Sequence, residues 1–340
     1  MPAGRRVVVI GVSGHWGSEL ARRLERDPAV AYIAGIDSRP PDADLERTEF
    51  IEADIRNPVL SRILPGTEAD TVVHCGILWY PEPGKPARVL HDINVIGTLQ
   101  LLAACERMTT LERVIVRGSA AIYGCEGAAP LFFSEDLARR LPLRTRFQRD
   151  ISELEDYFTN FARRHPEITC CMLRCQPELG PGLDTPLARY LSLPVVPVQL
   201  GFDPRLQLLH TDDATGALVA AVANPVRGAV NVGPAGSVSL SRMLRLARRP
   251  TVGIPHPLFE PALARVGERL GVGRLWGDGV RFLRYGRGVD NTRLREEVGY
   301  QFAFDAEGTV RDFAAGLRGR KVGPAVHPGA LLDRLAGGRA

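Results

Sequence analysis

Arg6-Val7-Val8-Val9-Ile10-Gly11-Val12-Ser13-Gly14-His15-Trp16-Gly17 is the stretch on which the reading of the fold turns. Its first part, Arg6–Val12, is an apolar, β-branched run that reads as a strand, and His15–Arg26 behind it carries apolar residues at helical spacing. Between them, Gly11 permits a tight turn, Gly14 lets backbone approach a pyrophosphate, and Gly17 permits close packing of helix on strand. The free amides near His15 and Trp16 then face an anion with the positive end of the helix dipole. A second strand, Tyr32–Asp37, ends twenty residues after Gly17 in Asp37-Ser38-Arg39. A carboxylate there can accept both ribose hydroxyls and would repel a 2′-phosphate, which favours NAD over NADP. Arg39 beside it can stack on adenine or accommodate that phosphate. The alternative is a purely structural glycine turn with a surface aspartate.

Working outward, the same rhythm repeats. Further strands are expected at Glu49–Asp54, Thr71–Cys75, Arg113–Ser119, Thr169–Cys175, Leu206–His210 and Ala229–Val232. Helices are expected at about Ala87–Arg107, Phe147–Arg164 and Thr211–Asn224. The strands are apolar nearly throughout, as in parallel strands covered on both faces. The alternation implies an α/β fold, a doubly wound parallel Rossmann sheet with a smaller C-terminal substrate lobe. Residues 1–176 and 206–235 are expected to form the dinucleotide-binding domain, and 177–205 and 236–315 a lobe capping the carboxyl edge of the sheet. Residues 316–340, rich in Gly, Pro and Arg, read as a loosely held tail.

Composition narrows the function classes. The 340 residues are 45% hydrophobic and carry a net charge of +4 spread over scattered arginine pairs, with no block dense enough for nucleic acid. No apolar run approaches the roughly 18–20 residues that span a bilayer. The six cysteines form no CxxC pair and no zinc-type set with histidine, so no metal site is expected and a reducing, cytoplasmic compartment is the simplest reading.

Further landmarks follow in order: Asp54-Ile55 after the third strand, Val72-Val73-His74-Cys75-Gly76, Asn94-Val95-Ile96-Gly97-Thr98, and Ser119-Ala120-Ala121-Ile122-Tyr123-Gly124. Leu209-His210-Thr211-Asp212-Asp213, Asn231-Val232-Gly233 and Tyr285-Gly286-Arg287 continue the series. As a set they resemble the extended short-chain dehydrogenase/reductases of the NAD-dependent epimerase/dehydratase family. More narrowly they resemble a divergent bacterial subgroup similar to UDP-glucose 4-epimerase. The resemblance covers about residues 6–312. It implies NAD as cofactor, held by Gly11, Gly14, His15, Trp16, Gly17, Asp37, Ser38, Arg39, Asp54, Ile55, His74, Cys75, Gly76 and Asn94. It implies a small-molecule substrate such as a nucleotide-sugar, and a homodimer formed through the two long helices. Neither nucleic acid nor membrane is an expected partner.

The same resemblance exposes a gap. Chemistry in that family needs a Tyr-x-x-x-Lys pair, in which the phenolate takes the proton of the substrate hydroxyl and the lysine lowers its pKa. Aligned on the helix Phe147–Arg164, Phe147 stands at the tyrosine position and Ile151 at the lysine position. No lysine lies between Lys85 and Lys321. Ser119 keeps the family's serine position. Tyr123 is the remaining catalytic candidate, although that tyrosine is structural in the family. His74 reads either as a polar neighbour of the cofactor or as a satisfied core histidine. Two readings of function stay open: an enzyme with an altered acid/base set, or a non-catalytic NAD(H)-binding sensor or scaffold.

Overall fold

The computed structural model describes residues 4–80, 88–269 and 279–319. Seven parallel strands form the central sheet: β1 (Arg5–Ile10), β2 (Val30–Asp37), β3 (Thr48–Glu52), β4 (Thr71–His74), β5 (Arg113–Ser119), β6 (Thr169–Cys175) and β7 (Gly228–Val232). Their spatial order is β3-β2-β1-β4-β5-β6-β7. The order reverses between β1 and β4, and the crevice outside the carboxyl ends at that switch point is where such sheets bind ligands.

Helices α1 (His15–Glu25), α2 (Leu60–Gly66), α3 (Gly97–Cys105), α4 (Arg146–Arg164) and α5 (Thr211–Ala223) cover the sheet. Alternation along β1 shows how. Val8 and Ile10 face one core with Leu101, Ile151, Leu154 and Phe158, while Val7 and Val9 face another with Leu20, Leu24, Ala217 and Leu218. In α4 the buried positions Ile151, Leu154, Phe158 and Phe161 recur at helical spacing. Its start is fixed by a capping box: Thr145 Oγ1 accepts from the Gln148 amide, and Gln148 Oε1 accepts from the Thr145 amide. The helix before β5 begins at Arg88 and passes through a π-helical turn, Asp92–Ile96, before α3. The expected first residue of that helix, Ala87, lies outside the described residues.

One expected strand is corrected. Leu206–His210 does not join the central sheet. Arg205–Leu206 pairs antiparallel with Val238–Ser239, and Leu209–His210 pairs parallel with Glu178–Leu179. The run is apolar because it bridges two cores: Leu206 and Leu208 enter a separate cluster with Tyr190, Met243, Phe282 and Phe313, whereas Leu209 packs into the core beneath the central sheet. That separate cluster gathers side chains from Leu179–Val196, Val238–Leu263 and Phe282–Ala314. Helix Ala306–Gly319 runs past position 316, where Gly316 packs against Pro181. The rest of the expected tail, 320–340, lies outside the described residues.

Candidate functional site

The glycine turn is built as its spacing demands. Gly11 sits at φ +81°, and a Cβ there would lie 2.6 Å from Gly76 Cα. A Cβ on Gly17 would lie 2.1 Å from Gly11 O, so helix and strand touch through these two residues. Gly14 differs: its nearest protein atom, Gly11 O, would be 3.4 Å from a Cβ, and Gly14 is exposed. The fold itself would therefore accept a Cβ at Gly14. This glycine is the N-cap of α1, and no side chain caps that helix start. An anion laid there meets open backbone and the helix dipole.

Asp37 closes the same corner. Its Oδ2 accepts from the Ser13 amide at 3.0 Å and its Oδ1 from the Ser38 amide at 2.7 Å. The Ser13 hydroxyl donates to the Arg39 carbonyl, tying the end of β2 to the turn. Oδ1 also accepts from the Ser38 hydroxyl at 3.4 Å, and Oδ2 keeps a lone pair for a ribose hydroxyl. Asp54 is held by Arg56 at 2.5 Å, and that hydrogen bond lowers its carboxyl below the usual range. Ile55 packs against Gly97, where a Cβ would lie 2.7 Å from Ile55 Cγ2. His15 Nε2 is 2.9 Å from Thr211 Oγ1, and its ring stands edge-on to Trp16. A dinucleotide's adenosine and pyrophosphate fit this half of the crevice.

Several other expected site residues face inward. His74 is fully buried. Its Nδ1 accepts from the Gly76 amide, so Nε2 carries the proton toward Thr98 Oγ1 at 3.1 Å, and burial pushes its pKa down to about 4. Thr98 Oγ1 in turn donates to the Asn94 carbonyl in the π-helical turn. Asn94 spends its side chain on Leu78, accepting from its amide at 2.8 Å and donating to its carbonyl at 2.7 Å. It pins the loop after β4 and leaves no side-chain polar atom pointed at the crevice. Cys75 is buried beside Gly76, and burial raises its thiol to about 12.

The two catalytic candidates fare differently. Ser119 ends β5 and is buried, its Oγ accepting from the Ala121 amide at 3.2 Å. Tyr123 is engaged within the core. Its hydroxyl donates to Asn231 Oδ1 at 2.6 Å and accepts from Arg174 Nη1 at 2.9 Å, its ring stacks on Phe133, and burial raises it to about 12. His210 is likewise engaged, stacked on Phe304 with Nε2 3.0 Å from Asp312 Oδ2.

The positions aligned with the dyad are apolar in place. Ile151 is fully buried, and the Phe147 ring packs 6.3 Å from Trp79. One residue before Ile151, buried Asp150 holds the His91 ring at 2.9 Å, and its second oxygen has no protein partner.

Three residues absent from the expected set occupy the crevice over β4, β5 and β6. Arg117, on β5 two residues before Ser119, lies between Trp16 and Trp79, its guanidinium carbon 4.4 and 4.8 Å from their ring centroids. Its Nη2 donates to both oxygens of Glu178 at 2.7 and 2.5 Å, and both residues are buried. Burial pushes the Glu178 carboxyl above the usual range while Arg117 opposes that shift. The signal was a charge inside an otherwise apolar parallel strand, which folding tolerates only when the charge is paired.

A model of the family described as "NAD dependent epimerase/dehydratase family" matches residues 7–233. The chain belongs to the NAD-dependent epimerase/dehydratase family. An uncharacterized protein of Mycobacterium tuberculosis is 35% identical over 330 residues, covering 95% of this chain and 86% of the relative. Another from that organism is 27% identical over 319 residues, covering 93% of this chain and 30% of the longer relative. Among solved structures, MoeE5 in complex with UDP-glucuronic acid and NAD superposes with a TM-score of 0.70 at 22% identity, covering 92% of this chain and 99% of MoeE5. UDP-glucuronic acid 4-epimerase from Bacillus cereus, in complex with NAD, gives a TM-score of 0.68 at 18% identity, with 92% and 99% covered. Both share the fold of this family member.

Proposed function

We propose that this family member binds NAD(H) through the glycine turn and Asp37 and has lost the proton-transfer pair that drives epimerase and dehydratase chemistry. The observation that carries the reading is that Phe147 packs on Trp79 and Ile151 is fully buried, where the proton-transfer pair would stand. Bound NAD supplies a hydride acceptor, but a hydroxyl gives up hydride only as its proton leaves. No tyrosine or lysine stands at those positions to take it, and loss of such a pair costs several orders of magnitude in rate. The role is then that of a sensor or scaffold answering to the dinucleotide. The apolar cluster formed by Tyr190, Met243, Phe282 and Phe313 supports a lobe over the crevice, assigned to 177–205 and 236–315, able to enclose a nucleotide-sugar or related small molecule.

The experiment mixes NAD-loaded protein with a panel of UDP-sugars, on which the natural chain should neither produce NADH nor exchange epimers. Turnover by the natural chain sinks the reading.

A second reading keeps catalysis, with an altered acid/base set. The pair His91–Asp150 favours it, because a buried carboxylate orients an imidazole that is partly open to solvent. Under that reading His91→Ala abolishes turnover.

We also infer a homodimer. Ile96 and Leu99 are exposed at 39% and 38%, and an open groove lined by Leu99, Leu102, Ala103 and Tyr157 runs between α3 and α4. A second copy laying its own α3 and α4 there would cover that apolar surface. Six buried cysteines, none of them in a disulfide, support a cytoplasmic protein.

A further inference from the structure

With pyrophosphate at Gly14 and ribose at Asp37 on the β2 side, the second nucleotide of a dinucleotide must cross the carboxyl ends of β4, β5 and β6. Those ends carry Trp79, Arg117 and Glu178. The Arg117 guanidinium lies between the faces of Trp16 and Trp79, 4.4 and 4.8 Å from their centroids. It is a planar cation between two indoles, with a carboxylate at its edge. Oxidised nicotinamide is also a planar cation and asks for that same environment. Arg117 is 2% exposed and Glu178 4%, while the two flanking indoles are half-buried.

We propose that the Trp16–Arg117–Trp79 stack, anchored by Glu178, fills the nicotinamide subsite, so that the protein recognises the ADP-ribose portion of its ligand and gains nothing from the nicotinamide ring. The proposal rests on the cofactor corner binding a nucleotide and adds which part is read. The lost proton-transfer pair and the filled slot agree with one another, since a ring that cannot dock needs neither tyrosine nor lysine.

The test is a calorimetric titration of the whole chain with ADP-ribose and, separately, with NAD. The account expects the two dissociation constants to agree within about threefold. Trp79→Leu, and separately Arg117→Ser with Glu178→Gln so that no buried charge is stranded, should open the slot and tighten NAD over ADP-ribose by about tenfold. NAD already tighter than ADP-ribose by about tenfold in the natural chain would overturn the proposal, whether or not the variants fold. Failure of both ligands to bind would instead overturn the cofactor reading beneath it.

Discussion

A single nitrogen of Arg117 reaches both carboxylate oxygens of Glu178, and both residues are almost wholly buried. Such a pair is costly to halve and cheap to replace whole, because removing one partner strands the other charge in a medium of low dielectric. Glu178→Ala is expected to destabilise the fold by about 3–5 kcal/mol. Arg117→Met with Glu178→Leu should recover most of that loss. Urea denaturation of the single and double variants checks both statements. An additive double variant would show that the two side chains act independently.

Gly14 and Gly17 should separate binding from folding. Gly17→Ala places a methyl 2.1 Å from Gly11 O, so it should lower the melting temperature sharply. Gly14→Val meets little protein, its nearest atom being 3.4 Å away, and should leave the melting temperature nearly unchanged while cutting nucleotide affinity by about tenfold or more. Thermal melts and calorimetric titration read the two effects apart. Equal melting-temperature losses would contradict the assignment of Gly14 to the ligand.

His74 makes the fold sensitive to acid. Its pKa is pushed down to about 4 by burial, while the unfolded chain keeps the ordinary value near 6.5, so the unfolded state binds the extra proton between them. Stability from this residue is present above about pH 6.5 and declines as the pH falls toward 4, by about 3 kcal/mol in all. His74→Gln should start less stable at neutral pH and lose less on acidification. Denaturation curves across that range check it, and parallel curves would mean that His74 does not titrate as described.

Leu99→Glu places a charge in the groove between α3 and α4 and should yield a monomer, with nucleotide affinity preserved. Light scattering on the natural and variant chains measures this. A natural chain that is already monomeric contradicts the dimer.

The sequence carried the sheet because its strands are continuous apolar runs, and it carried the cofactor corner because glycine spacing encodes close approach. Leu206–His210 misled because apolar character reports burial, and a segment bridging two cores is as buried as a strand. Asn94 and His74 read as site residues because their motif lies next to the crevice, yet their polar atoms turn toward Leu78, Gly76 and Thr98. Tyr123 was half legible, since only the positions of Asn231 and Arg174 reveal that its hydroxyl is already engaged. Arg117 and Glu178 are 61 residues apart, and nothing local announces that they meet.

The central claim is a complete cofactor corner joined to missing proton transfer. The most direct measurement follows NADH absorbance and conversion of the sugar after mixing NAD-loaded protein with a panel of UDP- and dTDP-sugars, with loading confirmed by calorimetry on the same sample. The account predicts saturable NAD binding with neither NADH nor converted sugar from any of them. NADH or converted sugar, lost in Ser119→Ala, would contradict it.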